Sequence, residues 1–190
     1  MLNSINLLRT LSCFAILIFH IREFVNAHSD TVHLSFSAAP GFHLFLAISG
    51  FILVYITRPD DTPLNFMMKR TVRIVPLYWA TTTLALILAL TRPWLFHDAD
   101  TGLSSIVSSY LFLPHYDLGS DIQPILFVGW TLGYIMLFYL LFSLSLLIPE
   151  RFQVPGAIVM TLGVIAGASL LPAGAYRAFY GDPILLEFAM

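Results

Sequence analysis

Leu8-Arg9-Thr10-Leu11-Ser12-Cys13-Phe14-Ala15-Ile16-Leu17-Ile18-Phe19-His20 is an apolar run bounded by two ionisable side chains. It lies within residues 5–25, a stretch long enough to cross a bilayer as one helix. A helix turns about 100° per residue, so the step from Arg9 to His20 is about three turns plus only ~20°. The two side chains therefore share one stripe, about 16 Å apart along the axis. Ionisable groups inside a membrane helix are costly and are kept mostly where they act. An imidazole is the side chain best suited to moving a proton near neutral pH. The spacing allows two roles. Arg9 and His20 are interfacial anchors, with Arg22 and Glu23 beside the histidine, or His20 is a general base and Arg9 fixes an anionic group on the same stripe. Glu23, three residues after His20, is placed to orient the ring.

The rest of the chain carries the same signal. Its 190 residues are 58% hydrophobic and 11% charged, with a mean hydropathy of +0.83, which is the composition of a membrane protein rather than a soluble domain. The net charge of -2 gives no overall attraction to nucleic acid. A single cysteine, Cys13, allows no internal disulfide and reads as a small buried residue. The segment before Arg9 is short and no small-x-small site closely follows Phe19, so the first apolar run is expected to stay as an anchor.

Further spans are expected at Gly41–Thr57, Ile74–Leu90, Leu126–Ile148 and Val154–Leu171, with loops at residues 26–40, 91–102, 114–124 and 172–183. Residues 64–73 look helical, and Pro76 stands near the start of the third span, where proline costs least. Leu103–Leu113 is too short to cross and reads as re-entrant or interfacial. A further apolar run starts at Ile184. The expected fold is all-α: a multi-pass transmembrane helical bundle of about five to six spans, forming one membrane-embedded domain over residues 1–190. If 103–113 does not cross, Arg9, Arg58, Lys69, Arg70, Arg73 and Arg151 all fall on the cytoplasmic side.

Several segments carry candidate chemistry. Arg70 and Arg73 are helical neighbours at the mouth of a span, suited to grip phosphates or to touch lipid headgroups. Lys69 joins them, but the patch is too small and too close to the membrane for nucleic acid. Ser49-Gly50 points to close helix packing with the hydroxyl bonded to backbone; the flanks of a serine hydrolase elbow are missing, so Ser49 is no nucleophile. His20, His28, His33 and His43 have no pair at helical ligand spacing, and no metal site is expected. Trp130-Thr131-Leu132-Gly133-Tyr134 and Phe138-Tyr139 form an aromatic-rich span start.

In chain order, Leu8-Arg9 with His20, Gly41 to Ser49-Gly50-Phe51, Lys69-Arg70 to Arg73-Ile74 to Pro76-Leu77-Tyr78-Trp79, Gly129-Trp130-Thr131-Leu132, Phe138-Tyr139 and Leu185-Leu186-Glu187-Phe188 resemble integral-membrane acyltransferase family three. These are the O-acyltransferases of bacterial glycans, and the likeness is to their exopolysaccharide-production branch. The resemblance implies transfer of an acyl group, acetyl above all, from acyl-CoA to a hydroxyl of a cell-surface or exported polysaccharide. It implies a bacterial cytoplasmic membrane, contact with membrane lipid, a glycan or lipid-linked saccharide acceptor, acyl-CoA as donor substrate and no tightly bound cofactor. It makes His20 and Arg9 the catalytic pair and sets Lys69, Arg70 and Arg73 near the CoA phosphates. Ser49, Tyr78 and Trp130 become substrate contacts.

This sequence departs from the family pattern in three places. His43 stands where an acidic residue is usual, and Ile135 stands near the place of a usual glutamate. The chain also supplies roughly half of about ten expected spans, as a fragment or a shortened product would. Two alternatives follow: a non-catalytic membrane homologue, and a transporter fragment using Arg9 and His20 as a proton or anion site.

Overall fold

The computed structural model describes residues 2–28, 39–58, 60–92, 100–115, 124–126 and 129–189. Among them the secondary structure is helical, with no strand: α1 Leu2–His28, α2 Ala39–Ile56, α3 Pro63–Thr91, α4 Leu103–Tyr110, α5 Gly129–Ser145, α6 Glu150–Ala168, α7 Ala175–Tyr180 and a closing 3-10 segment, Pro183–Ala189. Three helical stretches are long and apolar enough to cross a membrane: Ser4–Arg22 of α1, all of α3, and all of α6. Gly41–Ile56 and Gly129–Ser145 are shorter apolar helices. The all-helical membrane fold expected from the sequence is the one found.

The chain divides into two units, residues 1–57 with 186–190, and residues 58–185. In the first, α1 packs on α2 through small side chains. A Cβ on Gly41 would run into the Cβ of Ala15, so glycine here sets how closely the helices approach. Ser12 and Thr10 turn their hydroxyls back to the carbonyls of Leu8 and Asn6, both at 2.9 Å, which leaves no bare donor in an apolar setting. Leu46, Ile48, Leu53 and Phe188 are buried within this unit.

In the second unit, Phe66, Val75 and Tyr78 of α3 and Tyr134, Ile135, Phe138 and Phe142 of α5 are buried. The helix boundaries depart from expectation here. The basic segment 64–73 and the span 74–90 are one helix, because Thr62 caps it (its hydroxyl accepts from the Asn65 N–H at 3.2 Å) and Pro63 supplies the first turn. Pro76 is thus interior to α3; it removes a single bond to the Val72 carbonyl, which a membrane helix tolerates. Helix α6 starts at Glu150 rather than Val154 and also carries an interior proline, Pro155. Part of the loop expected at 172–183 forms α7, and the apolar run from Ile184 lies in the 3-10 segment Pro183–Ala189.

The short α4 does not cross. Its last turn meets α3 at Tyr78, Trp79 and Thr83, well before α3 ends at Thr91. The Tyr78 hydroxyl donates to the Ser109 carbonyl at 2.9 Å and the Trp79 indole N–H donates to the Tyr110 carbonyl at 3.0 Å. The hydroxyls of Thr83 and Tyr110 bond at 2.5 Å. Side chains of α3 thereby satisfy carbonyls that a helix end leaves bare, which is the condition for ending a helix at membrane depth. At 1.5 Å per residue, Tyr78 lies about 20 Å from the end of α3, so α4 turns back from that end as a re-entrant segment. Phe112, just past α4, has a φ of 58°, a strained value for a bulky residue; its ring stacks on Tyr78 with centroids 4.6 Å apart.

Candidate functional site

Helix α1 is unbroken from Leu2 to His28, so the stripe relating Arg9 to His20 is real, and both side chains are half-buried. The Arg9 guanidinium lies 5.7 Å from the centre of the Phe45 ring of α2, a cation–π contact that directs it inward. The His20 ring meets the adjacent Phe19 ring edge-on at 5.4 Å, and its Nδ1 is buried. The Arg22 guanidinium also lies on the Phe19 ring, 5.0 Å from its centre. The Glu23 side chain, and with it the idea that Glu23 orients His20, lies outside the described residues, as do the side chains of His28 and His33.

Ser49 shares this unit. Its hydroxyl is buried and makes no hydrogen bond among the described residues, unlike the backbone bond expected for it. Close packing at Gly50 is as expected: a Cβ there would overlap the carbonyl of Phe188. That contact seats the closing segment against α2, where Glu187 pairs with Nδ1 of His43. The carboxylate missing at position 43 is thus met by one from the far end of the chain. Glu187 is visible in the sequence only as part of its motif; nothing in its spacing from His43 announces the pair.

In the second unit, Lys69, Arg70 and Arg73 open α3 but do not act as one patch. Lys69 pairs with Asp61 at 2.5 Å, and Asp61 also accepts the Arg58 N–H at 3.2 Å. The lysine, then that N–H, hold the Asp61 carboxyl below its ordinary pKa. Arg70 is half-buried, with its guanidinium 5.3 Å from the Phe66 ring and 6.0 Å from the Tyr139 ring. Arg73 is exposed. A guanidinium fixed by two rings beside an open one can present donors to an anionic group.

Tyr78 and Trp130, far apart in sequence, line one cleft together with Ser108, Ser109, Phe112, His115 and Phe179. The Trp130 ring meets Tyr134 edge-on at 5.9 Å, and Tyr134 stacks on Phe179 at 4.1 Å. His115 bonds through Nε2 to Asp100 at 3.1 Å, and Asp100 accepts the Gly102 N–H at 2.8 Å. In the sequence both residues fall in loops, and the Asp-x-Gly turn is their one visible sign. Ile135 is buried in α5, among apolar neighbours of the second unit's core.

The family model described as an acyltransferase domain matches residues 2–188. The chain belongs to acyltransferase family three. It is 36% identical over 166 residues to the exopolysaccharide production protein ExoZ of Rhizobium meliloti (strain 1021), covering 86% of this chain and 52% of that protein. It therefore spans about half the length of the curated relative it matches. No solved structure matches it. Family and helices together make this acyltransferase-family chain an integral membrane protein.

Proposed function

We propose that the whole protein transfers an acyl group, acetyl first, from acyl-CoA to a hydroxyl of a cell-surface or exported polysaccharide in the bacterial cytoplasmic membrane. The observation that carries this reading is the pairing of Arg9 and His20 on one face of an unbroken apolar helix, in a chain of this family. His20 takes the proton of the acceptor hydroxyl as its oxygen attacks the thioester carbonyl. A C–O bond forms, the C–S bond breaks, and the CoA thiolate leaves and recovers the proton from the imidazolium. Arg9, about 16 Å along the same stripe from His20, steadies the CoA portion of the donor. Arg70 and Arg73, with Lys69, meet the CoA phosphates, while Ser49, Tyr78 and Trp130 contact substrate. The name of the relative, an exopolysaccharide production protein, supports a glycan or a lipid-linked saccharide as acceptor.

The test is transfer of labelled acetyl groups from acetyl-CoA to polysaccharide in membranes carrying the whole protein. General-base loss in His20→Ala is expected to cost at least about 100-fold in rate. Wild-type turnover by that variant would reject the catalytic assignment. Absence of any acetyl-CoA turnover by the unaltered protein would favour a non-catalytic homologue.

A further inference from the structure

Helix α2 is occupied on two opposite faces. Gly41 and Phe45 meet Ala15 and Arg9 of α1. His43 and Gly50 lie about 200° and 180° round the helix from Gly41, so they turn away from α1. There Glu187 pairs with Nδ1 of His43, and the Phe188 carbonyl takes the place that a Cβ on Gly50 would fill. Phe188 is itself buried. Close packing two turns along α2 thus seats the segment that carries Glu187, and the pair does not depend on its own attraction alone.

The two side chains are unequally covered: Glu187 is 15% exposed and His43 53%. The second carboxyl oxygen of Glu187, Oε2, is buried and makes no hydrogen bond among the described residues, which leaves the imidazole to answer this acid. A carboxylate at Nδ1 keeps the proton on that nitrogen and leaves a lone pair on Nε2. Nε2 makes no hydrogen bond among the described residues. The imidazole is therefore oriented by a largely buried acid and holds its free acceptor outward, as a positioned base does.

The contacts of Gly41 with Ala15 and of Phe45 with Arg9 make α1 and α2 antiparallel, and they set the turn of His43 between those of Arg9 and His20 along the hairpin. His43 is on the far face of α2, so the pair is a second polar site and not an extension of the Arg9–His20 stripe. Ionisable groups within an apolar helix are kept mostly where they act. An acceptor lone pair beside a carboxylate disfavours the CoA phosphates and calls for a hydrogen-bond donor, which a saccharide hydroxyl is.

We propose that His43, positioned by Glu187, is a contact for the glycan acceptor, its Nε2 accepting a hydrogen bond from a saccharide hydroxyl on the face of α2 turned away from α1. This rests on the acyl-transfer reading for its role in the reaction, whereas binding at His43 needs no turnover. Diethyl pyrocarbonate modifies a free imidazole nitrogen, so the mass of the peptide carrying His43 reports whether Nε2 is covered. In membranes of the whole protein, the polysaccharide of the transfer assay, stripped of its acyl groups, is expected to slow this modification saturably, and CoA is not. In acetyl transfer, His43→Ala and Glu187→Ala are expected to raise the polysaccharide KM about ten-fold, the effect of one good hydrogen bond, while the acetyl-CoA KM does not move. His43→Gln, whose amide oxygen is also an acceptor, restores most of the affinity.

Absence of protection by the polysaccharide, or equal protection by CoA, overturns the proposal; this arm uses the unaltered protein and decides even where His43→Ala fails to fold. An unchanged polysaccharide KM in His43→Ala also overturns it. So does a parallel rise of both KM values without rescue by His43→Gln, which would show that the pair only supports the fold. Protection that behaves as expected without any acetyl-CoA turnover upholds the contact and rejects the acyl-transfer reading instead.

Discussion

In the first unit 6% of the apolar stretch of α1 is buried, against 28% of α3 in the second. Helix α1 turns Leu7, Phe14 and Leu17 outward, each more than half exposed, and keeps Arg9 and His20 on its more covered side. Helix α3 is held by ring packing from Phe66 and by hydrogen bonds from Tyr78, Trp79 and Thr83 to α4. The first unit thus carries the proposed catalytic pair on one helix and depends on close backbone approach. The second brings its candidate substrate contacts together from several helices and depends on aromatic packing and polar ties. Between helices in a membrane the apolar driving force is small, so packing and hydrogen bonds carry the association in both.

The comparison breaks first where a large buried ring is removed. Phe66→Ala, which takes away a side chain 1% exposed and one of the two rings over Arg70, is expected to cost ~3 kcal/mol of stability. It should also raise the acetyl-CoA KM; a detergent melting curve with a transfer assay checks both. In the first unit, Gly50→Val forces a side chain into the Phe188 carbonyl and is expected to cost about 2–3 kcal/mol. A proteolysis assay should show residues 183–189 cleaved faster, while α3 to α5 keep their protection.

Smaller changes sharpen the contrast. Tyr78→Phe leaves the ring stack on Phe112 and removes only the bond to Ser109, for an expected loss of about 1 kcal/mol. Hydrogen exchange in α4 should speed up and exchange in α1 should not. Asp61→Asn is the mildest change, with an expected loss below ~1 kcal/mol because Lys69 is well exposed. The Asp61 carboxyl titrates lower when folded, so its contribution is present above the ordinary value of 3.8 and is lost as pH falls through the lowered one. The difference between Asp61→Asn and the unaltered protein that is seen near neutral pH should shrink progressively in melting curves taken below pH 3.8.

The same contrast explains what the amino-acid sequence makes legible. The Arg9–His20 stripe depends only on helical periodicity within one apolar run, so the order of residues is enough to reveal it. The failure of 103–113 to cross follows from its length. Features that depend on tertiary contact stay hidden. His43 meets Glu187 from the other end of the chain, Tyr78 and Trp130 converge on one cleft, and Asp100 reaches His115 across α4. Charge at Lys69 to Arg73 looks like a helix boundary, whereas the Thr62 cap and Pro63 set the start of α3 earlier. Pro76 misleads for a related reason, since proline is less disruptive inside a membrane helix than in water.

The central claim is that an imidazole must share the stripe of Arg9 to act. Exchanging two neighbours, Phe19→His with His20→Phe, keeps composition and hydropathy and turns the imidazole about 100° off that stripe. Acetyl transfer in membranes of the whole protein is expected to fall at least about 100-fold, as far as in His20→Ala. Turnover at the unaltered rate by the exchanged protein would contradict the account.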